Sequence, residues 1–568
     1  MNVLNLIQNL LPLGPEAFDA KAATPSPVSE IDFGACPSWP VDLFAVVGSI
    51  IERSGCYTMA SPDRNQLEMH AARLDEISSC ARVWNGDWQQ APGPVESLWR
   101  DIVTNFAKVE ITEICSLPAL VSKLLVLFAI ADEASAGIGW DVNPEKAGEH
   151  IFASMAFAGL TANDATLKLP YGGNSLCVMV PPDQAIVLPK SITSSVGCTL
   201  RSLSHHLALL PPISILKPQW ILSTKKPGNQ VSPSECIRLL LVPFPFKIHA
   251  SSFKLSSPRT EFSGRVLPAY FSLAQQWLHA NGVEITGERL ANELILPLIR
   301  LAQNETGEVP NGIVLPECAL TSKLAGELAQ ALADAGIEFL ITGVLDSLEN
   351  GTQVNRALTF AFQEGGVAAI GEQNKHHRWR LDRGQTERYG INFDDSHSNH
   401  QWWEDIDVSQ RQLPFFALRK DMSLVTLICE DLARTDPAMP VIRAVGPNLV
   451  VALLMDGPQL ATRWPGRYAT VLAEDPGSAV LSFTCAAMVD RSNWLEAKPA
   501  RSIGLWRDGS GRTQEIGLPS GSLGVVLTLQ SKEKHQTTLD NRSDNSLSRQ
   551  LTLRTVVPLF LAPQPEWL

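Results

Sequence analysis

Charge is scarce in this sequence, and bases are the scarcer sign. Charged residues fill 18% of the 568 positions, with 46 Lys+Arg against 59 Asp+Glu, a formal net charge of −13. A mainly electrostatic grip on nucleic acid or on an anionic membrane is not expected, because such binding needs many cations. No two of the ten cysteines form a CxxC pair. That argues against a structural zinc site or a thioredoxin-like motif, and thiols standing singly among apolar residues fit a reducing cytosol. A glycine-rich phosphate loop and an internal repeat of fixed period are both missing. The best membrane candidate, Leu117 to Ala131, is too short, contains Lys123 and reads as a buried helix. The opening MNVLNLIQNLLPLGPEAF has neither the basic lead nor the cleavage pattern of a signal peptide. These absences predict a cytoplasmic protein without membrane or nucleic-acid partners, and nothing in the sequence calls for a metal or a cofactor.

What is present is apolar and long. Hydrophobic residues make up 45% of the chain, too many for general disorder, and 568 residues exceed what one core covers. Residues 1–35 read as a flexible N-terminal arm, rich in Pro, Ala and Ser. Residues 36–225 read as a mainly helical α+β domain, with strands at Leu176 to Val180 and Ala185 to Leu188 and a short helix at Ser202 to Leu210. The polar stretch around 226–235 reads as a linker. Residues 236–568 alternate helices and strands and read as a layered α/β domain. Its expected elements include strands at 237–246, 312–315, 337–342, 424–428, 448–455 and 479–484, helices at 271–280, 289–303 and 321–335, and two hairpins. Residues 531–549 read as a surface loop.

Three strand ends in this domain carry reactive residue types. Apolar LVTLI runs straight into Cys429, followed by Glu430 and Asp431. Glu317 follows IVLP, and Lys375 follows the hairpin arm AAIGEQN. Ends of successive core strands can converge at one edge of a sheet. A thiol is mostly protonated at neutral pH and needs a base. Glu317 is placed to take that proton, and Lys375 to stabilise a thiolate and then an oxyanion. A helix starting at Glu430 would add its N-terminal N–H groups.

VLPE, a Lys after a paired hairpin, and LICED, in this order, resemble the carbon–nitrogen hydrolase (nitrilase) superfamily over about residues 234–530. The resemblance implies a four-layer αββα sandwich that associates into a homo-oligomer. It also implies a Glu–Lys–Cys triad of Glu317, Lys375 and Cys429, which cleaves a small-molecule amide or nitrile through a thioester. By the same resemblance Glu387 is the candidate second acid, and the CED form is closer to amidases than to simple nitrilases. Glu430, Asp431, Arg463 and Trp464 are candidates for the substrate pocket. Two other readings stay open. One is an acyltransferase with the same triad. The other is a nitrilase-fold binding or regulatory module, motivated by LARTDPAMP, which departs from the family pattern after the cysteine.

His376 and His377, adjacent on a strand, would face opposite ways, and His205 and His206, adjacent on a helix, are no better placed to share a metal. Trp402, Trp403, Asp394, Asp395, Glu404, Asp405 and Asp407 suggest an inserted loop near the site mouth. YGGNSLCVMV, residues 171–180, resembles the turn and strand of palm-type polymerases and nucleotide cyclases, with Asn174 and Ser175 where metal-holding acids would stand. For the N-terminal region three roles stay open: a scaffold or oligomerisation module, a module for a protein or nucleic-acid partner, and a module that receives ammonia or another product.

Overall fold

The computed structural model describes the chain except residues 16–30, 63, 89, 139–174, 192–196, 213–215, 223–235, 259, 264, 350, 364–365, 394–400, 420–421, 497 and 544–546. The chain forms two units. The first comprises Met1–Trp220, Pro440–Pro447 and Glu533–Ser548, and the second Ile221–Met439, Asn448–Lys532 and Arg549–Leu568. The expected linker at 226–235 lies outside the described residues, as does the turn of the palm-like echo. The expected contiguous C-terminal domain does not hold, because residues 440–447 and 533–548 belong to the first unit.

The first unit contains helices α1 (Val3–Leu10), α2 (Pro40–Ser54), α3 (Leu67–Gly86), α4 (Gly93–Asn105) and α5 (Pro118–Ala134), then a hairpin of β1 (Ile186–Pro189) and β2 (Leu207–Leu210) with the one-turn helix α6 (Leu200–Leu203) between its strands. The first residues are a docked helix rather than an arm. Val3, Leu6, Ile7 and Leu10 share one helical face and are all buried. The strand expected at 176–180 does not form. Its Val178, Met179 and Val180 N–H groups all donate to Asp42 Oδ1, at 3.0, 3.0 and 3.2 Å, which leaves them unable to join a ladder. The helix expected at 202–210 is instead α6, a bend and then β2. Nor is 531–549 wholly a surface loop, since Arg542 is buried among the acids of α5 and its own loop.

The second unit is mixed α/β. Its chain runs through β3 (Cys236–Leu241), β4 (Phe253–Ser257), β5 (Ala269–Leu273), α7 (Leu296–Thr306), β6 (Gly312–Val314), α8 (Ser322–Ala331), β7 (Phe339–Ser347), β8 (Gln353–Gln363), β9 (Gly366–Asn374), β10 (Arg380–Asp382), α9 (Arg383–Tyr389) and β11 (Gln401–Glu404). It continues through β12 (Arg411–Arg419), β13 (Met422–Ile428), β14 (Leu449–Leu454), α10 (Trp464–Glu474), β15 (Ala479–Thr484), α11 (Ala486–Asn493), β16 (Ser502–Arg507), β17 (Thr513–Gly517), β18 (Gly524–His535) and β19 (Leu547–Leu559). The helix expected at 271–280 is instead the end of β5, a 3₁₀ turn at Gln276–Leu278 and a two-residue strand, His279–Ala280. Burial alternates along β5, which is the period of a half-buried sheet rather than of a helix. Before α7 a five-residue π-helical turn, Ala291–Ile295, absorbs the irregularity expected at Pro297.

Two large sheets share a plan. The first has the spatial order β9-β8-β7-β6-β3-β18-β19, and six strands of the second run β17-β16-β15-β14-β13-β12. In each, three consecutive strands are parallel: β3, β6 and β7 in one, β13, β14 and β15 in the other. An antiparallel hairpin continues each trio on one side, and an antiparallel strand flanks it on the other. Leu239, Ile341 and Ala361 of the first sheet pack with Leu424, Val451 and Leu481 of the second in one core. The opposite face of the first sheet buries Leu298 and Ile299 of α7 and Leu324 and Leu328 of α8. The strands of each parallel trio end at a common edge. In α/β sheets such edges collect functional groups, because the loops that leave them are free to vary while the strands hold them rigid. Among the described residues no helix is long and apolar enough to cross a membrane.

Candidate active site

Glu317 lies just past β6, Lys375 follows β9, and Cys429 follows β13. Two hydrogen bonds between the two sheets' segments hold the last two residues in register. Thr426 Oγ1, on β13, donates to Gln373 Oε1, on β9, at 2.9 Å, and the His376 N–H donates to Asp431 at 3.0–3.1 Å. Asp431, a candidate for the substrate pocket, is therefore a buried anchor that also meets His377 Nδ1 at 3.0 Å.

The charged centre is compact and dry. Lys375 Nζ donates to Glu317 Oε1 at 2.8 Å and to Glu404 Oε2 at 2.6 Å. The side chains of Lys375 and Glu317 are 1% and 2% exposed, so these bonds act with little solvent screening. Asn355 Nδ2, from β8, reaches both acids, Glu317 Oε1 at 2.8 Å and Glu404 Oε1 at 3.0 Å. The Trp379 N–H fixes Glu404 Oε2 from a third side, at 2.9 Å. Glu317 Oε2 is different: it is buried and accepts no hydrogen bond among the described residues. A buried carboxylate oxygen without a donor is costly, and it is poised to receive a proton.

Cys429 is 3% exposed and sits at φ +45°, and Cys318, next to Glu317, sits at φ +55°. Left-handed backbone at a non-glycine residue is uncommon and strained, and such residues gather at reactive turns. Cys429 opens a five-residue 3₁₀ turn, so the expected helix starting at Glu430 is only this short coil. Burial pushes the Cys429 thiol well above its ordinary value; Glu317 adds to this and Lys375 opposes it. Burial also raises the Glu317 carboxyl, with Lys375 opposing and Glu404 adding. Burial alone would lower the Lys375 ammonium, but Glu317, Glu404 and Cys429 together hold it well above its usual range. The resting arrangement is thus a neutral thiol, a firmly protonated lysine and a carboxylate with raised proton affinity.

The second carboxylate at Lys375 is that of Glu404. Glu387 lies on α9, 62% exposed, and pairs with Arg383 at 2.9 Å, away from Lys375. Glu404 ends β11, a strand of the four-stranded sheet β10-β11-β5-β4, where a loop was expected. Residues 394–400 of that expected loop lie outside the described residues. No local pattern distinguishes Glu404 from Asp405 or Asp407 in sequence. The other pocket candidates divide. Glu430 pairs with Arg434 at 2.9 Å. Arg463 and Trp464 both hold Asp456, which follows β14, at 2.9 and 3.1 Å, and Tyr389 donates to the same carboxylate at 2.5 Å. Asp456 bears electrostatically on Cys429, so this group shapes the thiol's surroundings. Trp379, Tyr389, Phe393 and Trp402 form an aromatic cluster with Cys318, Met455 and Cys485.

No family model matches the sequence, and no curated protein matches it. Solved structures that align with the chain include a glutamine-dependent NAD+ synthetase from Acinetobacter baumannii, at 13% identity and a TM-score of 0.28 over 58% of this chain and 49% of that one. They also include Nit3 of Saccharomyces cerevisiae, a member of branch 10 of the nitrilase superfamily, at 14% identity and a TM-score of 0.27 over 50% of this chain and 86% of that one. A double mutant of the amidase from Nesterenkonia sp. AN1, in complex with acrylamide, aligns at 11% identity and a TM-score of 0.30 over 59% of this chain and 95% of that one. The chain thus spans about half the length of the NAD+ synthetase. Scores this low leave the functional reading to the side-chain geometry itself.

Proposed function

We propose that the second unit is an αββα sandwich that hydrolyses a non-peptide carbon–nitrogen bond, an amide, through a thioester on Cys429. The observation that carries the reading is the buried Glu317–Lys375–Glu404 cluster. It leaves one Glu317 oxygen without a donor in the same buried region as a strained, neutral thiol. As Cys429 Sγ attacks the amide carbon, its proton passes to Glu317 and the carbonyl oxygen becomes an oxyanion. Lys375 Nζ has three protons and gives two to Glu317 and Glu404, which leaves the third for that oxyanion. The tetrahedral intermediate then collapses, the carbon–nitrogen bond breaks, and the amine leaves with the proton held by Glu317. Water attacks the thioester as Glu317 takes its proton, and the returning thiolate recovers that proton when the acid product leaves. Glu404 takes no part in bond making. It neutralises and positions Lys375.

Intact-mass measurement after mixing with a panel of small amides tests the proposal. An acyl adduct is expected on the parent and none on Cys429→Ala, whose turnover should fall by about 10⁴-fold or more. An adduct that persists in Cys429→Ala overturns the assignment. Adding amine acceptors and analysing products separates hydrolysis from acyl transfer.

The close approach of β7 gives a second test. A Cβ on Gly343 would stand 2.4 Å from Glu317 Cα and 2.5 Å from the Pro316 carbonyl oxygen. Gly343→Ala must therefore push Glu317 off its position, and turnover should drop roughly 100-fold, since a displacement of about 1 Å is enough for that. Parent-like kcat in a folded Gly343→Ala protein would remove Glu317 from the mechanism.

A further inference from the structure

Among the described residues, one group of two histidines and an acid converges in the first unit, and the chemistry above does not use it. Helix α5 ends with Asp132 and Glu133. Buried Asp132 accepts the backbone N–H groups of His205, His206 and Leu207, at 2.6, 3.0 and 3.1 Å. Three successive N–H groups gathered on one carboxylate bend the chain just before β2. The bend matters because adjacent residues of a helix or a strand diverge, whereas here both rings turn to the same partner. His205 Nδ1 lies 3.6 Å from Glu133 Oε1, and His206 Nε2 lies 3.9 Å from Glu133 Oε2. The three candidate donor atoms all fall within 4.8 Å of one another. The His205 side chain is 5% exposed, and neither of its ring nitrogens has a hydrogen-bond partner among the described residues. A buried imidazole in that state is the second sign that a ligand is accommodated here.

We propose that Glu133, His205 and His206 hold a divalent first-row transition ion. Two imidazoles and one carboxylate are borderline donors suited to Zn2+, Co2+ or Ni2+, and not to Mg2+ or Ca2+, which take oxygen. A tetrahedral ion with bonds of about 2.0–2.1 Å sets its donors about 3.3–3.4 Å apart. The His206 Nε2–Glu133 Oε2 separation of 3.9 Å has to close by about 0.5 Å, and the other donor pairs, all within 4.8 Å, by about 1.4 Å at most. Arg542 Nη1 bonds Glu133 Oε1 at 2.8 Å, so Oε2 is the coordinating oxygen. Arg542 also faces Asp132 and Asp540, and three carboxylates exceed its single charge. Lys190 donates to the Arg201 and Ser204 carbonyls nearby. An ion bound here would staple the end of α5 to the start of β2.

The test uses the full chain stripped of metal and titrated with CoCl2. Co2+ separates this site from the ten thiols, because thiolate ligation adds a strong near-ultraviolet charge-transfer band. One equivalent should bind with visible bands and without that thiolate band, and the melting temperature should rise. Glu133→Gln and His206→Gln should each weaken binding at least about tenfold. The proposal is overturned if no equivalent binds, if the thiolate band dominates, or if both folded variants bind as the parent does. Should the variants fail to fold, a Co2+-soaked crystal of the parent decides. An anomalous peak among the three side chains supports the site, and its absence rejects it.

Discussion

Lys375→Met is expected to abolish turnover and to cost the fold about 3–5 kcal/mol, the usual penalty for removing one partner of a buried ion pair. Lys375 is 1% exposed and stands between two carboxylates. Without it, Glu317 and Glu404 would face each other across Asn355 with no cation. Two buried like charges cannot both stay ionised, so one would take up a proton. The sign with pH follows. In the variant the raised proton affinity of Glu317 loses the opposing Lys375 and rises further, so the folded protein binds more protons than the unfolded chain. Its deficit is smallest at acidic pH and grows as pH rises. Urea unfolding of parent and variant at pH 5.5 and pH 8 measures this. A variant as stable as the parent at pH 8 would mean that the cation is not essential to the buried cluster. Combining Lys375→Met with Glu404→Gln should restore part of the stability, but no activity.

Glu317→Gln separates proton transfer from folding. The amide keeps an oxygen for Lys375 and Asn355, so the variant should fold. It cannot accept the Cys429 proton, and kcat/KM should fall about 10²–10⁴-fold, the range for removing a general base. The pH profile gives the sharper readout. Burial raises the parent's Glu317 carboxyl above its ordinary value of 4.5, with Lys375 opposing and Glu404 adding. As pH falls through that raised value, Glu317 is protonated and the rate drops, so the acid limb lies above the ordinary carboxylate range. In Glu317→Gln the residual activity should lose that limb. If the limb survives unchanged, another group is the base.

These expectations rest on residues of unequal legibility. Glu317, Lys375 and Cys429 were readable because each directly follows a strand-like segment, two of them strongly apolar. The strands before Glu317 and Cys429 are buried in parallel pairs, and the hairpin before Lys375 returns its second arm in the same direction, so their ends come to one edge. Glu404 was not readable. It stands among acids of similar appearance after two tryptophans, and it meets Lys375 only because β11 joins β5, a strand from more than a hundred positions earlier. Segment 269–273 shows the same limit locally, since five residues of mixed character fit either period until a neighbouring strand claims their backbone groups. The geometry of regular elements turns His205 and His206 apart, and it is the Asp132 carboxylate that replaces that geometry with a bend.

By itself the sequence determined the alternation of strands and helices from 236 onward, the three strand ends that carry Glu, Lys and Cys, and the mainly helical character of the chain between residues 40 and 134. Periodicity and propensity are local, and those features follow from neighbours in the chain. Only the tertiary structure decided which acid partners Lys375, which oxygen of Glu317 is left without a donor, and that residues 440–447 and 533–548 belong to the first unit. Each of these depends on contacts between residues far apart in the chain. Such contacts are set by which buried charges and backbone groups find partners once the sheets close, and no local run of residues encodes that choice.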